Sequence, residues 1–566
     1  MDLKNFLVFS IGSAGLFFAA FNLFNKDEAA TIELTAPLYT INDSTRNLPL
    51  YKNASAPIAD RIEDLLTRMT KDEKVGQLST LLGWEMYEKA NGTVQVSEKF
   101  KTALKEQYVG NLWATLRADP WTKKTLRNGL TPTEAAVATN AIQKYAIENS
   151  RLGIPLMLAE ECVHGHMAIG TTVFPTNIGQ SATWDPALIE KMGAVVAKET
   201  RLQGGHVGYG PVLDLARELR WSRVEETFGE DPYMNGTMGE AVVKGFQGKS
   251  INSPINVIST LKHFAAYGIP EGGHNGGNVN IGERELLQSY MPAFHAAVKA
   301  GALSVMTSYN SIDGIPCTGN KFLYEDLLRN QWGFKGFVVS DLSSIEGIYF
   351  NHHVTPTRAG AAAMALNAGV DSDLGGNGYG KFLDSALATS LTDTVALNKA
   401  VRNVLRMKFE LGLFENPYVD VSKVAGQINN KEHKEIAAQV ARESVILLKN
   451  EKNVLPLSKN LKRIAVLGPN ADNIYNQLGD YTAPQPDSNI ITVLEGIKAK
   501  VGKGTQVTYV KGCAIRDTTQ TNIAAAVAAA KNADAVVIVL GGSSARDFET
   551  VFNNTGAADI SQKNAV

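Results

Sequence analysis

The chain is poor in cysteine and nearly balanced in charge, and both scarcities narrow what it can be. Its three cysteines, Cys162, Cys317 and Cys513, are odd in number and far apart, with no Cys-x-x-Cys. That pattern supports neither a disulfide framework nor a thiolate zinc site, and reads as buried free thiols. A net charge of -2 over 566 residues supplies no basic field for nucleic acid. Uncharged substrates suit such a surface better than phosphorylated ones. Several catalytic signatures are missing as well. There is no Gly-x-Ser-x-Gly elbow. The glycines flanking His274 and Asn275 carry no phosphate-loop lysine and do not open a helix. Asp371, Ser372 and Asp373 lack the rest of a calcium loop. Glu160, Glu161, Cys162, His164 and His166 have no further ligand at a convincing zinc spacing, so no metal is expected.

Long apolar runs are rare too, with one exception. Residues 6–24 are almost unbroken in apolar and small side chains, between Lys4 and a polar stretch starting at Asn25. The length fits a signal segment or a short membrane anchor, so export is expected, to the periplasm or beyond. A polar, turn-rich linker follows. Thr70 with Glu73, and Thr131 with Glu134 behind Pro132, are capping boxes that start helices.

From there short apolar runs alternate with helical stretches. Runs at 154–158, 207–213, 257–261, 303–306, 337–339 and 369–370 lead into Glu160 and Glu161, Asp214, Lys262 and His263, Ser308 to Asn310, Asp341, and Asp371 respectively. Strand–loop–helix repeats imply parallel strands. Polar residues at every strand end fit a (β/α) barrel, whose chemistry gathers on that rim. An open doubly wound sheet is the alternative. After Glu415, Asn416 and Pro417 a second α/β unit begins, with a helix expected over 433–450 and strands over 464–467, 507–510 and 535–540. Few elements remain to cover its sheet, so this domain is expected to be cut short.

Four clusters carry candidate chemistry. Asp341 ends a buried strand and is either a nucleophile or the cap of the next helix. Residues 217–232 are dense in arginine and carboxylate, and Glu226 is placed to hold an arginine rigid. Lys262 and His263 form an adjacent pair suited to a polar ligand. Tyr309 is either a support for a nearby carboxylate or a core aromatic.

The ordered set of these pieces resembles glycoside hydrolase family 3, the exo-acting β-glucosidases and β-xylosidases. The pieces run from about residue 54 to 457 and include Arg68 to Leu78, Arg151 to Pro155, His164-Gly165, Trp221 to Pro232, Lys262 to Phe264, Tyr309-Asn310, Trp332 to Asp341 and Ala441 to Leu457. The resemblance implies a TIM-like (β/α)8 barrel at 55–415, a linker at 416–431 and an incomplete α/β sandwich at 432–566, after a signal or anchor at 1–27 and a linker at 28–54. It implies Asp341 as nucleophile, with Glu161, Arg223, Lys262, His263 and Tyr309 around the terminal sugar of an oligosaccharide or glycoside. No cofactor is implied. The chemistry is a retaining displacement, which needs a second carboxyl as acid and base. Glu549 is the nearest glutamate for that role, and the family's own is expected to be absent with the rest of the domain.

Two further departures stand out. Leu342 replaces the tryptophan that often follows the nucleophile, removing a stacking surface. Glu161 stands where glucosidases often carry aspartate, which shortens the pocket and resembles the pentose-cleaving members. The expected function is removal of terminal β-D-glucosyl residues. Its rivals are a β-xylosidase and a truncated chain that binds sugar without turnover. The family's N-acetylglucosaminidase branch is disfavoured, since its histidine loop is not matched after Lys262 and His263.

Overall fold

A computed structural model describes residues 48–515 and 521–542. Eight strands, β1 (Ser79–Leu82), β2 (Asn111–Trp113), β3 (Met157–Glu161), β4 (Val207–Val212), β5 (Ile258–Phe264), β6 (Ser304–Thr307), β7 (Phe337–Val339) and β8 (Asp373–Leu374), lie side by side in chain order. All their pairings are parallel. A parallel bridge from Val339 to Ser372 joins the two ends of the sheet. The result is the barrel, not the open sheet, and it is walled by helices such as Pro132–Glu148, Pro186–Leu202 and Pro232–Gln247.

Strands covered on both faces show no alternation, so they read as plain apolar runs. That explains two misses. Leu81 fits the helical spacing set by Val75 and Leu78, yet the helix Lys71–Leu78 stops and β1 begins at Ser79. The three residues of β2 were too short to stand out. The capping boxes at Thr70 and Thr131 form as expected, each with reciprocal bonds to its glutamate. The run at 369–370 is displaced: β8 starts at Asp373, and Asp371 precedes it. Its carboxylate accepts from Arg329, from the Val338 amide at 2.8 Å and from Asn403 at 2.9 Å. Asp371 therefore ties strands and helices together.

The second unit holds three parallel strands, β9 (Arg463–Leu467) between β10 (Gln506–Val510) and β11 (Ala535–Ile538), with helices Val493–Lys500 and Ile523–Lys531. The helix expected over 433–450 spans only Lys431–Glu443. Val440 is buried, but Val445 and Leu448 are exposed, so the apolar face ends with the helix. Cys162 and Cys317 are buried thiols, whereas Cys513 is half-buried. Among the described residues no helix is long and apolar enough to cross a membrane.

Glu199 fastens the connecting segment to the barrel. This buried carboxylate accepts from the Thr172 amide and hydroxyl at 2.7 Å each, the Asn429 amide at 2.6 Å and His433 Nδ1 at 2.6 Å. Removing it strands several buried donors. Glu199→Ala should lose about 3–5 kcal/mol of unfolding free energy in urea titration, whereas an exposed control such as Glu190→Ala should change little.

Candidate active site

The C-terminal ends of the strands converge on a cavity of about 680 Å³ lined by Trp113, Glu161, Arg223, Lys262, His263, Tyr309, Asp341 and Tyr481. All six residues expected at the site within the described chain, Asp341, Glu161, Arg223, Lys262, His263 and Tyr309, reach it. Glu549 lies outside the described residues.

Arg117, Arg223 and Lys262 are buried here and each is matched by a carboxylate, Arg117 by Asp119. Arg223 donates from Nε and Nη2 to the two oxygens of Glu226 at 2.7 and 2.8 Å, the paired geometry that best compensates a desolvated guanidinium. Its remaining N–H groups reach Tyr267 at 3.2 Å, Tyr481 at 3.2 Å and His263 Nε2 at 3.1 Å. Glu226 does hold an arginine rigid. Lys262 donates to Glu161 Oε2 at 3.0 Å. The Trp113 indole donates to the other oxygen at 3.2 Å, so Glu161 is held at both ends. His263 Nδ1 is hydrogen-bonded to Asp214 at 2.7 Å. Burial and the neighbouring Arg223 and Lys262 charges hold its pKa well below the ordinary imidazole value, so the ring is neutral.

Asp341 sits two residues past β7. Its amide donates to Thr307 Oγ1 at 3.1 Å, and its Oδ1 accepts from the Leu342 amide at 2.7 Å. Oδ2 accepts no hydrogen bond and lies 3.5 Å from His263 Nε2. Burial pushes the carboxyl up to about 6, while Arg223, Lys262, the Leu342 amide and the Tyr309 hydroxyl pull it back. Tyr309 is raised well above the usual phenol value by burial and by the Asp341 charge, so it keeps its proton.

Several site residues escaped sequence reasoning. Trp113 lines the cavity, stacked on Tyr209 at 6.5 Å. Tyr481 enters from the second unit, where its hydroxyl accepts from Arg223 and its ring covers Lys262 at 4.9 Å. Its loop is fastened through Asp480, whose amide donates to Glu225 at 3.0 Å and whose carbonyl meets the His164 ring. The other His164 nitrogen meets the Phe174 carbonyl at 2.8 Å. Nothing in a lone tyrosine after Gly479 and Asp480 announces this role. Among the described residues, no cluster of histidine, cysteine or acidic side chains is arranged to hold a metal.

Comparison with known proteins settles the family. The model of the glycosyl hydrolase family 3 N-terminal domain matches residues 70–407, and that of the family's C-terminal domain matches 445–564. The chain belongs to glycosyl hydrolase family 3. Both domains of the family are therefore represented in the chain. Relatives include a periplasmic beta-glucosidase of Salmonella typhimurium, 34% identical over 85% of this chain and 62% of its own length. A putative beta-xylosidase of Formosa agariphila is 35% identical over 89% of this chain and 65% of its own. The chain thus spans a little under two thirds of these relatives. Among solved structures, a β-glucosidase from Erythrobacter marinus matches with a TM-score of 0.77 and 32% identity, over 89% of this chain and 68% of that one. The beta-glucosidase from Listeria innocua in complex with isofagomine matches with a TM-score of 0.74 and 31% identity, over 88% and 65%.

The raised Asp341 carboxyl couples stability to pH. Below pH about 4 the folded and unfolded chains both hold this proton. Between about 4 and 6 the unfolded chain releases it first, so the Asp341 contribution to stability falls as pH rises. Asp341→Asn should therefore be more stable than the parent by about 3 kcal/mol at pH 8, and equal to it below pH 4, as read by urea denaturation.

Proposed function

We propose that the chain is a retaining exo-β-glycosidase that removes terminal, non-reducing β-D-glucosyl residues from oligosaccharides or glycosides. The observation that carries this reading is Asp341: one oxygen is pinned by a backbone amide, and the other carries no hydrogen bond. Both belong to a cavity whose other walls are fixed donors and acceptors.

Asp341 Oδ2 attacks the anomeric carbon as the glycosidic bond breaks, and the leaving oxygen takes a proton from an acid. Water, deprotonated by the same group, then releases the sugar with its configuration retained. Arg223, Lys262, Glu161 and His263 hold the sugar hydroxyls, and Tyr309 steadies the nucleophile. The acid and base must lie roughly 5 Å from the nucleophile, and Glu549 is the candidate. An exported location is supported by residues 6–24 and by the periplasmic name of one relative.

A second reading, a β-xylosidase, is favoured by Glu161. Its extra methylene relative to aspartate, with the carboxylate fixed between Trp113 and Lys262, fills space that a hydroxymethyl arm would need. Relatives with both names occur.

Turnover of 4-nitrophenyl β-glucoside and β-xyloside tests these readings. Asp341→Asn should lose at least about a thousandfold in kcat; an active Asp341→Asn sinks the nucleophile assignment. Glu549→Gln with undiminished activity refutes Glu549 as acid and base. Glu161→Asp should shift the glucoside-to-xyloside ratio of kcat/KM toward glucoside by about tenfold or more.

The nucleophile must be ionised, so kcat/KM should fall with unit slope as pH drops below about 6. Lys262→Met removes one of the cations that favour the carboxylate, so this limb should move to higher pH. A limb unmoved in that variant would show that another group titrates.

A further inference from the structure

Asp341 has to aim its carboxylate from a position beyond the end of β7, where backbone freedom would cost it precision. Side-chain hydroxyls remove that freedom. The Asp341 amide donates to Thr307 Oγ1 at 3.1 Å. The Asp341 carbonyl accepts from the Ser340 hydroxyl at 2.9 Å and from the Ser344 amide at 3.0 Å. The Ser340 hydroxyl in turn accepts from the Leu374 amide of β8 at 2.9 Å. The peptide groups on both sides of Asp341 are thereby held.

Thr307 does not stand alone. Its hydroxyl lies 2.9 Å from Thr318 Oγ1 and 3.2 Å from Ser344 Oγ, and those two are 3.0 Å apart. The three residues come from the end of β6, the turn Cys317–Gly319 and the start of the helix Ser344–Phe350. All three are buried. A hydroxyl has one proton and two lone pairs, so each can donate once and accept once around the triangle. One lone pair then remains on Thr307 Oγ1 for the Asp341 amide. Hydroxyls linked in a ring polarise one another and lose their free rotation. Apolar side chains of the same shape would hold these three elements together at little or no cost. What the hydroxyls add is a directed acceptor for one amide. None of the three residues lines the cavity, so their route to the reaction runs through Asp341.

We propose that Thr307, itself set by Thr318 and Ser344, is the positioning residue for the nucleophile. It fixes the Asp341 backbone so that the carboxylate keeps its line to the anomeric carbon through both displacements. The inference rests on the reading of Asp341 as nucleophile. Without the Thr307 hydroxyl the Asp341 amide is buried with no acceptor. The residue can then turn, and the bond from the Leu342 amide to Oδ1 lapses. That bond favours the ionised carboxyl, whereas His263, Arg223, Lys262 and Tyr309 still face the group.

Thr307→Val keeps the side-chain shape and removes the acceptor. On whichever 4-nitrophenyl β-glycoside the parent turns over, it should lower kcat by about tenfold to a hundredfold. The inhibition constant of the released monosaccharide should stay within about twofold, because no group that touches the sugar is lost. The acid limb of kcat/KM should move to higher pH, since the carboxylate loses the Leu342 amide. Thr307→Ser restores the hydroxyl and should recover most of kcat and return the limb. A merely structural Thr307 would lower the urea midpoint and the amount of folded enzyme while leaving the limb in place, and that result would overturn the proposal. An unchanged kcat would overturn it too, as would a serine variant as slow as the valine one. Should the valine variant not fold, Ser344→Ala opens the same ring and carries the same comparison. An inactive parent, or an Asp341→Asn variant as active as the parent, would refute the reading of Asp341 as nucleophile, and this inference with it.

Discussion

Burial of the Arg223 guanidinium is the constraint on which the site depends. A charge taken out of water must be matched where it stands. Glu226 matches it with two hydrogen bonds, and Tyr267, Tyr481 and His263 take the remaining donors. Those partners come from separate parts of the chain. Fixing one cation therefore fixes the end of β5, the loop after β4 and a loop of the second unit together. Lys262 repeats the arrangement with Glu161 and the Tyr481 ring. The two positive charges then act on Asp341, which burial alone would hold protonated to still higher pH.

The second unit is more than an appendage to the barrel. Its 479–481 loop contributes Tyr481 to the cavity and is tied down by Glu225 and His164. Glu199 does the same for the connecting segment, through Asn429 and His433. A site that takes side chains from both units gains its shape only when they are docked. Substrate contacts on strands of the barrel stay rigid, and the second unit completes the wall.

Much of the fold was legible because barrel strands end in chemistry. The runs before Asp341, Asp214 and Lys262 were visible as apolar stretches meeting polar residues, and the capping boxes at Thr70 and Thr131 marked helix starts. β1 and β2 were hidden, since strands buried on both faces have no period and β2 is three residues long. The helix from Lys431 was overextended because Val445 and Leu448 continue its spacing while having nothing to pack against. Asp371 looked like a rim carboxylate, but its three donors lie in the wall between β7 and the surrounding helices.

By itself the sequence determined the family, the alternation of strands and helices, and which side chains stand at strand ends. Those properties are local, or are carried by ordered motifs along the chain. Only the tertiary structure decided which of them meet. Whether Asp341 is a cap or faces a cavity, which carboxylate balances Lys262, and that Tyr481 stands 258 residues from its partner Arg223 depend on closing the sheet through Val339 and Ser372. Such contacts follow from burial and charge compensation in three dimensions, and no spacing along the chain encodes them.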